Sequence, residues 1–146
     1  MIVVKKKFND HRDARELLQL LVNRVNLVML HIKSYKLENP LIVKMCKLFD
    51  ERFMGVRETV GDGGHTSYVL NKTNLILCLR DRHGNLHDMN TLTYVALHEI
   101  AHMVTDEVGH TKMYWTLFKF LKQEAMKIDL LKPLTGNVEY CGHTRM

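Results

Sequence analysis

Apolar residues recur at spacings of three and four from Ala14 through Leu17, Leu18, Leu21, Val25, Val28 and Ile32. That stripe predicts an amphipathic helix, with Asp10 as its cap. Asn39-Pro40 predicts a second helix start, because proline's φ is preset for a first turn. Ile42, Met45, Cys46, Phe49 and Phe53 form its apolar face, and Gly55 is placed to stop it. Ile2-Val3-Val4 reads as a short strand. The middle of the chain changes character: Gly61-Asp62-Gly63-Gly64 is a loop. Ser67 to Leu70 and Leu75 to Arg80 then read as two strands of a hairpin around Asn71-Lys72-Thr73-Asn74. Asp81 to Asn85 is turn chemistry. A further helix is expected from Asp88 or Asn90 to about Thr105. The last should begin near Thr111, with Tyr114, Leu117, Phe118, Leu121, Ala125 and Ile128 on its buried face. Mostly helices with a small central sheet make an α+β domain.

Composition narrows the classes. The chain has 146 residues, 46% hydrophobic and 25% charged, which suits one globular domain over residues 1–146 and excludes wholesale disorder. The opening MIVVKKKF lacks a signal-peptide core, and Gln19, Asn23, Arg24, Asn26 and His31 interrupt the longest apolar stretch. No membrane span and an intracellular location, cytoplasm or nucleus, are therefore expected. Three cysteines, an odd number, argue against a disulfide scaffold. Cys46 on an apolar helical stripe and Cys78 in a strand read as core residues. The net charge of +5 has an address: residues 1–36 hold eight Lys and Arg against three acids, and residues 37–146 balance. That makes DNA a candidate partner of the N-terminal part, through Lys5, Lys6 and Lys7 above all.

The chemistry lies in His98-Glu99-Ile100-Ala101-His102. Two histidines four apart on a helix are separated by ~40° around the axis and ~6 Å along it, so both imidazoles reach one cation. Glu99 is turned ~100° from His98 and is free to face a metal-bound water. The preceding Leu92, Val95, Ala96 and Leu97 bury the helix. A third ligand is expected at His110. On one continuous helix it would lie ~12 Å along the axis from His102, so the chain must break and turn back. Asp106, Val108 and Gly109 supply the break, and Thr111 the cap of the next helix. Asp106 and Glu107 are the rival third ligands. Three protein ligands leave zinc, one catalytic ion, with a position for water. The ion lowers that water's pKa to ~7, and Glu99 takes its proton and delivers it to the leaving amine. The expected activity is that of a zinc metalloendopeptidase acting on protein or peptide.

The segment Leu75-Ile-Leu-Cys-Leu-Arg80, Leu92 to His102, Gly109-His110 and Tyr114-Trp115 resembles the WLM and SprT-like metalloproteases, over about residues 67 to 128. The overall look is also similar to short, stand-alone members encoded by large DNA viruses. The resemblance implies a minimal gluzincin-like fold: N-terminal helices, a small sheet, a zinc-binding helix and a C-terminal helix. It implies the ligands His98, His102 and His110, the general base Glu99, and a role in degrading proteins crosslinked to DNA. The domain then divides into a basic N-terminal helical part (1–56), a zinc-binding catalytic core (65–130) and a C-terminal tail (131–146).

Other residues are weighed beside these. Strand Leu75 to Arg80 is a candidate edge for an extended substrate. Tyr94, Tyr114, His65 and Arg80 are candidate transition-state donors. Cys141 is a candidate latency thiol, with an inert tail cysteine as the simpler reading. Three other functions compete. A deformylase would need a cysteine ligand, for which only Cys78 in Leu77-Cys78-Leu79 offers itself, without the expected glycine. A metal-dependent RNase typically lacks the Glu of the motif. A non-catalytic zinc module would show a closed four-ligand site.

Overall fold

The computed structural model describes residues 2–5, 9–35, 38–59, 67–81, 83–106, 109–134, 138–140 and 143–145. In chain order the elements are β1 (Ile2–Val3), α1 (His11–Lys33), α2 (Pro40–Arg52), β2 (Gly55–Glu58), β3 (Tyr68–Leu70), β4 (Asn74–Leu77), α3 (Met89–Met103), α4 (Lys112–Lys127), β5 (Val138–Tyr140) and β6 (His143–Arg145). The fold is α+β, four helices with a small mixed sheet.

The sheet runs β1-β2-β4-β3. β1 and β4 lie parallel to β2, with Ile2 opposite Val56 and Val56 opposite Leu75. β3 closes one side as the antiparallel arm of the hairpin, Val69 opposite Leu75. β2 departs from expectation, since Gly55, placed by the pattern to stop a helix, opens a strand instead. Its Arg57 and Glu58 disguise a strand. Glu58 is nevertheless buried, because Arg80 Nε donates to its Oε2 at 2.8 Å and the Lys5 backbone N–H to its Oε1 at 2.7 Å. Arg80 Nη1 also donates to Asp10 Oδ1 at 2.5 Å. That engagement explains a second departure: Asp10 stands at the start of α1, but its side chain makes no capping bond there. A third departure is the β5–β6 hairpin, in a stretch expected to be tail.

The core lies where the helices meet the sheet. α3 packs on α1, α4, β3 and β4. Leu92, Ala96, Leu97, Ile100 and Ala101 of α3 are fully buried, against the predicted stripes of α1 and α4. A helix enclosed this way is a rigid base for side chains on its one open flank. Cys46 is a free, buried cysteine, as expected. Cys78 is buried too, but disulfide-bonded rather than free. Among the described residues no helix is long and apolar enough to cross a membrane.

Candidate metal centre

Two caps set the phase of the helices that carry the site. Asp88 accepts from the Thr91 backbone N–H at 2.7 Å and starts α3, and Thr111 accepts from that of Tyr114 at 3.2 Å and starts α4. Between them the chain leaves the helical path, and Gly109 takes φ +85° with open space where a Cβ would stand. The glycine is therefore demanded by its backbone angle rather than by crowding.

This turn returns His110 to the flank of α3. His98, His102 and His110 each offer a ligand atom, all within 4.8 Å of one another. The Nε2 atoms of His102 and His110 are 3.1 Å apart, close to the ~3.3 Å between two nitrogens on one tetrahedral ion at ~2.0–2.1 Å. His98 Nδ1 lies 2.9 Å from Glu99 Oε2, so the carboxylate stands directly beside the cluster. Burial first, then the neighbouring His98, His110 and Lys72, pushes the pKa of His102 down to about 4. It is therefore neutral near pH 7, the form that ligates. The donor set fits a zinc ion, and Glu99, buried beside it, is outside the set of possible ligands.

An aromatic floor supports the histidines. The buried Tyr114 ring stacks on His102 with centroids 4.2 Å apart, and its hydroxyl donates to the His98 carbonyl at 3.3 Å. Phe118 meets His98 edge-on at 5.2 Å. The exposed Trp115 lies 5.5 Å from His110.

Several sequence candidates take other positions. Tyr114 is a buried support, not a donor facing substrate. Arg80 is committed to Glu58 and Asp10. Tyr94 packs against Phe118 at 5.3 Å. The rival ligand Asp106 pairs with Arg52 at 2.8 Å and Lys44 at 3.4 Å, which hold its carboxyl below the usual range and away from the histidines. Cys78, the thiol a deformylase reading would need, is not in the cluster. The stretch Leu75 to Arg80 has no free edge where it forms β4, since β2 and β3 flank it on both sides; the outer strand is β3. His65, Glu107 and Cys141 lie outside the described residues. Sequence reasoning missed Lys72 and Arg52, which bind the end of α3. The one available signal was a lysine at a turn position where glycine is usual.

The chain is 30% identical over 144 residues to uncharacterized protein R325 of Acanthamoeba polyphaga mimivirus, a match spanning 91% of this chain and 71% of that protein. It is 39% identical over 84 residues to uncharacterized protein 136R of Invertebrate iridescent virus 6, spanning 53% of this chain and 46% of the relative. With uncharacterized protein 042R of Invertebrate iridescent virus 3 it shares 40% over 106 residues, spanning 70% and 64%. The chain thus spans less than two thirds of either iridescent-virus relative. Among solved structures it resembles Wss1 from Saccharomyces cerevisiae, with a TM-score of 0.62, 17% identity and 88% of each chain covered. A Wss1 mutant from S. pombe gives a TM-score of 0.53 at 21% identity, covering 85% of this chain and 94% of that one. The Wss1 structures share its fold. No family model matches the chain.

Proposed function

The chain belongs to one family with the mimivirus protein, and from its three-histidine centre we propose that it is a zinc-dependent endopeptidase acting on proteins held at DNA. The carrying observation is that His98 and His102 of α3 meet His110, from beyond a chain reversal, within 4.8 Å. When bound, zinc supplies a water acidified to a pKa of ~7 and polarises the scissile carbonyl. The three imidazoles hold the ion, and His102 stays neutral to do so. Glu99 accepts the proton of the attacking water and passes it to the leaving amine. His110 is exposed, which puts the site within reach of a bulky substrate. The resemblance to WLM and SprT-like proteases and the basic N-terminal part support the DNA-bound substrate class.

The test is zinc-loaded protein incubated with unfolded protein, without DNA and with single- or double-stranded DNA, beside Glu99→Gln. We expect cleavage that DNA stimulates, and a variant that keeps zinc but loses ~10²- to 10⁴-fold in turnover. Cleavage by the variant at the wild-type rate would overturn the role of Glu99. Loss of zinc from neither His98→Ala nor His102→Ala would overturn the site. No cleavage of any protein would shift the reading to a non-catalytic zinc module or another hydrolase.

A further inference from the structure

The last carbonyls of α3 lack regular i+4 donors, because the helix ends at Met103, and that of His102 takes the Thr105 N–H of the closing turn. Two cations from other elements also bind there. Lys72 Nζ donates to the carbonyls of His102 at 2.5 Å and Thr105 at 2.8 Å. Arg52 Nη1 donates to the Met103 carbonyl at 2.7 Å, and its Nη2 to Asp106 at 2.8 Å. Positive charge also suits the negative end of a helix dipole. Lys72 differs from Arg52 in one respect: it binds the backbone of a candidate ligand itself.

The way Lys72 gets there is unusual. Asn71 and Lys72 have φ +54° and +62°, and the Thr73 N–H bonds the Leu70 carbonyl at 3.0 Å. Two left-handed residues in succession fit a type I′ turn, whose second position favours glycine. A lysine there carries backbone strain, and such strain persists where the surroundings reward it. Here the reward is the side chain, which ties the β3–β4 hairpin to the end of α3.

We propose that Lys72 is a positioning residue of the metal centre, fixing His102 and the point at Thr105 where the chain turns back toward His110, and so setting the spacing of the two imidazoles. The inference rests on the zinc reading above. Burial and the neighbouring Arg52 lower the Lys72 pKa while Asp106 opposes them.

The experiment compares wild type, Lys72→Gly, Lys72→Met and Lys72→Arg. Glycine relieves the turn and removes the tie, so a gain or loss of Tm separates from the effect on metal. Zinc affinity is read by competition with a chromophoric chelator, and ligand geometry by the visible absorption of the cobalt(II) form. We expect Gly and Met to weaken zinc by about 10- to 100-fold, the range for residues that support a ligand, with a changed cobalt spectrum, and Arg to recover part of it. Wild-type affinity and spectrum in both Gly and Met variants would overturn the proposal, whatever their Tm. The zinc reading fails separately, by wild-type protein taking up no zinc. The tie is then judged on metal-free protein by amide hydrogen exchange at residues 104–106 and 109–111. Faster exchange in folded Lys72→Met supports it, and unchanged exchange overturns it.

Discussion

The ring of Tyr114 lies on that of His102, centroids 4.2 Å apart and planes 25° from parallel. The same residue's hydroxyl reaches the carbonyl of His98, one helical turn earlier. One side chain of α4 therefore registers both helix-borne imidazoles of α3, while His110, four residues before it, completes the set.

Tyr114→Phe keeps the stack and loses one hydrogen bond. It should cost about 0.5–1.5 kcal/mol of stability and leave zinc affinity within a few-fold. Tyr114→Ala removes a fully buried ring and should cost about 3–5 kcal/mol, with clearly weaker zinc binding. Denaturant unfolding and chelator competition measure the two effects; an alanine variant with wild-type zinc affinity would contradict the support role.

The Glu58–Arg80 pair is buried where β2 ends and the chain has just left β4, joined to Asp10 and to the backbone of Lys5. Glu58→Ala leaves Arg80 paired with Asp10 but without its buried carboxylate, and should cost up to about 3–5 kcal/mol. Combining it with Arg80→Met should cost less than the two single changes together. Equilibrium unfolding of the four proteins in the cycle tests this, and strict additivity would show that the pair does not act as a unit.

Metal-free protein should lose stability on mild acidification. His102 has its pKa lowered from 6.5 to about 4 in the fold, so the unfolded chain takes up this proton first as pH falls. The contribution is intact above pH ~6.5 and is lost progressively down to about 4. Tm against pH should fall more steeply through that window for wild type than for His102→Gln. The same protons compete with the ion, so zinc retention should fail over the acidic range as well.

If the basic N-terminal part binds DNA, replacing Lys5, Lys6 and Lys7 by glutamine should weaken binding and flatten its salt dependence, by ~0.7–0.9 in slope per lost phosphate contact. Peptide cleavage without DNA should stay as in wild type. Fluorescence anisotropy of a labelled oligonucleotide over a salt series is the measurement, and an unchanged slope would place any DNA contact elsewhere.

The helices and the pairing of His98 with His102 were legible in the sequence because both depend on local spacing. The 3.6-residue period placed the buried stripes of α1, α2 and α4, the caps Asn39, Asp88 and Thr111 fixed the starts of α2, α3 and α4, and a four-residue interval put His98 and His102 on one flank. The need for a reversal before His110 also followed from helix geometry, and Gly109 supplies it. What the tertiary structure decided are relationships with no local signature. β2 is not foreseen from its own residues; its Glu58 is buried because Arg80, 22 residues on, neutralises it. Asp10 looked like a cap until the same arginine claimed it. The period puts Tyr114 on a buried face, but only the fold sets it under the histidines, and Lys72 reads as turn chemistry until the hairpin carries it onto the end of α3. A side chain's period and cap are set by neighbours a few residues away, whereas its charge partner and its burial are set by whichever distant segment the fold brings against it.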